Sequence, residues 1–201
     1  MKTVLIATKN KGKAKEFETL FSPKGIKVLT LLDIENALDV EETGSTFEEN
    51  ALLKANAISE LLQMPVLADD SGLVIDALDG RPGIFSARYA GLHKNDQDNI
   101  EKVLEELQGV PAEKRTARFY CAIALVGPNM EPITVSGTCE GTIATVPEGE
   151  NGFGYDPIFY VPEKQTTMAN LSAEEKNRIS HRANALKELE KQLNEKVVEF
   201  L

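Results

Sequence analysis

The stretch Val66-Leu67-Ala68-Asp69-Asp70-Ser71-Gly72-Leu73 constrains the fold more than any other, because it sets two adjacent acids at the end of a short apolar run. Val66 to Ala68 read as the end of a buried strand, Ser71-Gly72 as a break, and Leu73-Val74-Ile75 as a resumed extended segment. A carboxylate at such an edge is expensive to desolvate. Whatever packs around it must therefore supply a cation, a proton to move, or backbone amides. Turn chemistry, in which Asp and Ser satisfy local backbone donors, is the simpler reading of the same residues. Neighbouring side chains of an extended strand point to opposite faces, so Asp69 and Asp70 are expected to play different parts. Asp70, beside Ser71 and Gly72, is expected to face a site, with Asp69 supporting it from behind.

The 201 residues suit a single domain, 1–201, built as two lobes, and a hydrophobic content of 42% is ordinary for a globular chain. A net charge of -10 argues against a nucleic acid polymer or an anionic membrane as partner, since nothing supplies a broad basic field. An anionic ligand would have to be held locally, by clustered lysines and a metal. Cys121 and Cys139 are too few for a disulfide framework and lack metal-ligand spacing, which fits a reducing compartment. The opening apolar run is interrupted at Lys9, too early for a signal peptide, and no segment reaches membrane-spanning length; a cytoplasmic protein is expected.

Residues 3–8 read as a first strand, Lys9-Asn10-Lys11-Gly12 as a tight loop, and 13–21 as a helix with Ala14, Phe17, Leu20 and Phe21 on one side. Such a junction offers free N–H groups and a positive dipole end, to which Lys9, Lys11 and Lys13 add charge. It is either a phosphate cradle or a solvated turn; with Gly12 alone it is neither a Walker A loop nor a dinucleotide fingerprint. Ser45 and Thr46 each have Glu three residues later, so a capping box opens a helix through about residue 62, with Phe47, Ala51, Ala55, Ile58 and Leu62 inward. Glu48 and Glu49 are thereby explained as first-turn acids, whereas Glu41 and Glu42 lie outside the helix. Asn50 and Lys54 share another face, where they either reach a ligand or meet solvent.

A helix over 95–108, a long strand over 116–126 and extended segments at 133–138 and 141–146 follow, with hairpin signals that imply partly antiparallel pairing. In Asn151-Gly152-Phe153-Gly154-Tyr155-Asp156-Pro157, two glycines interleave two aromatics, which suits either stacking on a flat base or an aromatic entry into the core. Residues 171–194 read as one helix opened by the box Ser172-x-x-Glu175, with Lys176, Ser180, His181 and Arg182 in its first half.

Taken together, Thr8-x-Asn10-x-x-Lys13, Glu41-Glu42-Thr43-Gly44-x-Thr46-Phe47-x-Glu49-Asn50-Ala51, Ala68-Asp69-Asp70-Ser71-Gly72-Leu73, Pro82-Gly83-Ile84-Phe85-Ser86-Ala87-Arg88, Phe153-Gly154-Tyr155-Asp156-Pro157-Ile158-Phe159 and Ser180-His181-Arg182-Ala183 resemble, in order and spacing, the inosine triphosphate pyrophosphatase family. The resemblance spans residues 3–186. It implies an α/β fold, an elongated mixed sheet flanked by helices, in two lobes with a nucleotide cleft between them, working as a homodimer. The implied activity is Mg²⁺-dependent hydrolysis of noncanonical purine nucleoside triphosphates (ITP, dITP, XTP) to the monophosphate and pyrophosphate. By position, Asp70 resembles the catalytic carboxylate and a metal ligand, with Glu41 the other ligand, and Glu42 and Asp69 are the near neighbours that would be swapped in if that assignment is off by one. Thr8, Lys9, Asn10, Lys11, Gly12 and Lys13 resemble the phosphate loop, Lys54 a further phosphate contact, and Ser71 a substrate contact. Phe153, Gly154, Tyr155, Asp156, Lys176, His181 and Arg182 resemble the base-recognition set, with Tyr155 standing where some members carry Trp.

Overall fold

The computed structural model describes residues 2–195. Its elements run β1 (Lys2–Ile6), α1 (Lys11–Phe21), β2 (Ile26–Thr30), α2 (Phe47–Leu62), β3 (Val66–Ile75), α3 (Asp96–Glu106), β4 (Thr116–Val126), β5 (Ile133–Ile143), β6 (Phe159–Val161), β7 (Thr166–Thr167), α4 (Ala173–Ile179) and α5 (His181–Glu195). The strands form one mixed seven-stranded sheet in the order β2-β1-β3-β4-β5-β6-β7. β1 pairs in parallel with β2 and β3, while β5–β6 and β6–β7 are antiparallel, so an α/β fold with helices flanking a mixed sheet is what the chain adopts. No helix among the described residues is long and apolar enough to cross a membrane.

The chain divides into two compact units. The first runs from the amino-terminal strand to Asp70 and adds Cys121–Gly137 and the part of α5 that begins at Arg182; the second comprises Ser71–Tyr120 and Thr138–His181. The core of the first joins Phe17 and Phe21 of α1 to Val4, Ile6, Leu67 and Ile123 of the strands and to Leu186 and Leu189 of α5. The core of the second gathers Leu73, Ile75, Ile100, Val103, Phe119, Tyr155, Ile158 and Phe159.

Four local expectations are corrected. β3 is a single strand through Asp69-Asp70-Ser71-Gly72, with no break, because its acids find partners in other elements and the Leu73 N–H is taken by Ser86 Oγ at 2.9 Å. β5 is likewise continuous, and Gly141 lies inside it: a Cβ there would sit 2.5 Å from the Tyr160 carbonyl oxygen, so glycine permits the approach of β6. α1 begins at Lys11, with Asn10 as N-cap accepting from the Lys13 N–H at 3.0 Å, so Lys11 and Gly12 belong to the first turn. The expected closing helix is two. Ser180 keeps its N–H on the Lys176 carbonyl but turns extended (φ −63, ψ 151), a conformation that short hydroxyl side chains favour at helix boundaries. α5 then starts afresh, with His181 and Arg182 in its first turn.

Candidate active site

In the first unit, charge gathers around β3. Asp69 is buried, and its Oδ2 lies 2.9 Å from Lys13 Nζ and 3.3 Å from an Arg182 terminal nitrogen. Lys54 Nζ donates to the Asp69 carbonyl at 2.6 Å and to Glu42 Oε1 at 2.7 Å, so it is an inward-turned cation and not a solvated one. Burial would raise the Asp69 carboxyl, but Lys13, Arg182 and Lys54 outweigh it and hold the group well below the usual carboxylate range. Burial likewise pulls at the Lys54 ammonium, and the carboxylates of Asp69, Glu42 and Asp70 reverse the effect, leaving it above its ordinary value.

Asp70, one residue on, has the opposite balance. The residue is 5% exposed, and burial pushes its carboxyl above the usual range; Lys54 and Lys13 counter this, and the charge of Glu42 adds to it. Asn50 fixes it in place. From the buried face of α2, its Nδ2 donates to Asp70 Oδ2 at 3.0 Å while its Oδ1 accepts the Gly44 N–H at 2.8 Å. One amide thus ties the carboxylate to the loop that carries Glu41 and Glu42. Glycine is needed at 44, where a Cβ would lie 2.7 Å from Asn50 Oδ1. Thr46 caps α2 by accepting from the Glu49 N–H, but the expected capping box does not close: the Glu49 carboxylate accepts from the N–H and hydroxyl of Ser45, one residue before the cap.

Around the start of α1, Thr8 Oγ1 accepts the Asn10 N–H at 3.1 Å, and Asn10 in turn caps the helix. The first turn holds no acid, and Lys11 and Lys13 stand where the helix dipole disfavours cations. A phosphorylated ligand would resolve that mismatch, since an anion suits both the amino end of a helix and the lysines of its first turn. Lys9 turns aside toward Asp39, at 3.5 Å on the surface. Glu41 is exposed, whereas Glu42 is the acid engaged by Lys54.

For a divalent cation the donor set fits a hard, oxygen-seeking ion. The buried Asp70 carboxylate supplies one hard oxygen donor, and acids 41 and 42 stand on the loop that Asn50 ties to it. Such a site holds an ion by one or two carboxylates and leaves the remaining positions to water and ligand phosphates.

The second unit holds the aromatic segment. Asp156, 2% exposed, accepts the Phe153 N–H at 3.0 Å and Lys176 Nζ at 2.6 Å on the same Oδ2, and Lys176 lies 4.8 Å from the Phe153 ring centroid. Tyr155 belongs to the core: its ring is buried and its hydroxyl donates to the Ser86 carbonyl at 2.7 Å. His181 stacks on Phe119 with centroids 4.9 Å apart. Of the expected base-recognition set, six residues therefore lie in the second unit, and Arg182 lies in the first, against Asp69. Ser71 opens the second unit as the chain neighbour of Asp70. Gly152 has φ +79, and a Cβ there would meet Asp156 Oδ2 at 1.9 Å. Gly152→Ala should displace the Asp156 carboxylate and lower Tm by about 5 °C, from ~1–3 kcal/mol of strain, as a thermal melt would register.

Two residues were not foreseen. Asp96, first in α3, accepts the Gly154 N–H at 2.8 Å across 58 positions of sequence, a separation that no local pattern encodes. Glu16 is buried on α1 and bonded to Arg182; its spacing from Lys13, one helical turn, is the signal that could have found it. Cys121 and Cys139 are buried, with their thiols pushed up to about 12 and about 11, so neither is an activated nucleophile.

A parallel strand-to-helix junction lined with lysines, next to a strand bearing a buried acid, defines an α/β protein built to handle a phosphorylated ligand. The model of the Ham1 family matches residues 4–192. A protein of Halalkalibacterium halodurans named dITP/XTP pyrophosphatase is 63% identical over 194 residues, covering 96% of this chain and 100% of its own. One of the same name from Geobacillus kaustophilus is 60% identical over 195 residues, covering 97% of this chain and 96% of its own. The solved structure of the Staphylococcus aureus Ham1 protein superposes with a TM-score of 0.85 at 49% identity, over 97% of this chain and 100% of that one. The chain belongs to the Ham1 family.

Proposed function

We propose that the chain hydrolyses the noncanonical purine nucleoside triphosphates ITP, dITP and XTP to the nucleoside monophosphate and pyrophosphate, with Mg²⁺ as its divalent cation. The observation that carries this reading is Asp70: a buried carboxylate fixed by Asn50, with the charges of Lys13 and Lys54 close by. The relatives' shared name, dITP/XTP pyrophosphatase, gives the substrate class.

Asp70 and Glu41 would hold the cation, Glu42 being engaged by Lys54. When bound, the ion supplies neutralisation of phosphate charge and acidification of a water. The chain's own residues do the rest. Asp70, held in place by Asn50, orients the water and takes its proton as the oxygen attacks the α-phosphorus. Thr8, Lys9, Asn10, Lys11 and Gly12 form the loop and first turn that receive the phosphates, and Lys13 and Lys54 offset the charge on the departing pyrophosphate. Ser71 contacts substrate beside Asp70.

In the second unit, Phe153, Gly154, Tyr155 and Asp156 shape the base site, with Lys176 and His181 as donors. Hypoxanthine and xanthine present a keto oxygen at C6, which a donor such as Lys176 satisfies and the amino group of adenine does not. Two buried free thiols suit the reducing cytoplasm, and the homodimer implied by the family resemblance completes the reading.

The test is incubation with ITP, dITP, XTP, ATP and GTP plus Mg²⁺, with the products identified. Pyrophosphate from the inosine and xanthosine substrates is expected. Orthophosphate would indicate a phosphatase, and binding without turnover a nucleotide sensor; either would overturn the reading.

A further inference from the structure

We infer that Glu16 is a positioning residue for the triphosphate: by holding Arg182, it keeps Asp69 available to Lys13 and so fixes the lysine at the start of α1. The inference rests on the phosphate role proposed above for Lys13. Lys13 and Glu16 are three apart on α1 and project from neighbouring points of its surface. Between them lie Asp69 of β3 and Arg182 of α5, giving the order Lys13, Asp69, Arg182, Glu16, in which every neighbour has the opposite charge. The side chains of Asp69 and Arg182 are 0% and 1% exposed, and that of Lys13 is 15% exposed. Lys13 is thus the member of this chain of charges with most access to a ligand.

The arrangement is competitive at one atom. Asp69 Oδ2 receives Lys13 Nζ at 2.9 Å and also faces Arg182 Nε and a terminal nitrogen at 3.4 and 3.3 Å, beyond the usual hydrogen-bond range. The other terminal nitrogen of Arg182 donates to Glu16, and the guanidinium lies over the Phe17 ring at 5.7 Å. Glu16 therefore holds the arginine back. If its charge is removed, the guanidinium turns to Asp69, since a buried cation requires a carboxylate. Lys13 and Arg182 meet at the same Oδ2, so an Arg182 drawn closer competes with Lys13 for that atom. Lys54, bonded to Glu42 and to the Asp69 carbonyl, is anchored independently and does not take the place of Lys13.

The experiment measures binding of inorganic tripolyphosphate with Mg²⁺ by calorimetry in the full chain, for wild type, Glu16→Gln, Lys13→Met and the double variant. Glu16→Gln is expected to weaken binding by about tenfold, and in the Lys13→Met background the same change is expected to alter it by less than about twofold. A purely structural role for Glu16 would give the same loss in both backgrounds, and that result, or unchanged affinity in Glu16→Gln, would overturn the inference. If Glu16→Gln does not give a cooperative melt, Glu16→Asp, which keeps the charge but shortens its reach, is held to the same comparison. Wild type that binds tripolyphosphate yet releases no pyrophosphate from dITP would refute the proposed activity and leave this comparison intact; wild type that does not bind it would refute the inference.

Discussion

Asp70→Asn is expected to lower kcat for dITP by about 10³-fold or more while leaving Tm unchanged or raised by a few degrees. Loss of a positioned base together with its electrostatic partner accounts for the rate. The stability half follows from the sign of the shift. In the absence of a divalent cation, burial raises the Asp70 carboxyl, so at neutral pH its ionised form opposes folding, whereas asparagine has no charge to desolvate. The new side chain can still accept the Asn50 amide at the position of Oδ2. A group raised in the folded state contributes its stability below its unfolded value and loses it as pH rises through the folded one. The Tm advantage of the variant should accordingly shrink as the pH falls toward the ordinary carboxylate range, near 3.9. Steady-state kinetics and melts at several pH values check both halves; retained turnover, or a large drop in Tm, would count against the role given to Asp70.

Arg182→Met is expected to have the largest effect on stability. It removes a cation that is 1% exposed and leaves Glu16 and Asp69 without it, a loss of about 3–5 kcal/mol, or ~10 °C in Tm for a chain of this length. Adding Glu16→Met should recover part of that loss, because it removes the acid whose partner was lost while Lys13 and Lys54 continue to serve Asp69. If the double variant melts lower than the single one, the two residues are not paired in the sense described.

What the sequence disclosed depended on whether its signals were local. The capped helix α2, the amphipathic α3 and the long strand β4 were legible because period and capping residues suffice to specify them. The continuity of β3 was not. Asp-Asp-Ser-Gly carries turn residues, and only the distant Lys13, Arg182 and Asn50 relieve the acids of any need for local amides. The break at Ser180 was hidden for a related reason: the apolar period of α5 continues that of α4, and a single extended residue leaves almost no trace in it. The different burdens of Asp69 and Asp70 could be anticipated from the alternation of a strand, whereas the partner of each depended on long-range packing. Lys54 shows the limit most clearly, since its spacing alone allowed solvent, and Glu42 with the Asp69 carbonyl draws it inward.

Attack of water at the α-phosphorus can be read out by turning over dITP in ¹⁸O-water with Mg²⁺ and locating the label by mass spectrometry. The expected result is ¹⁸O in the nucleoside monophosphate and unlabelled pyrophosphate. Label in the pyrophosphate, with none in the monophosphate, would contradict it.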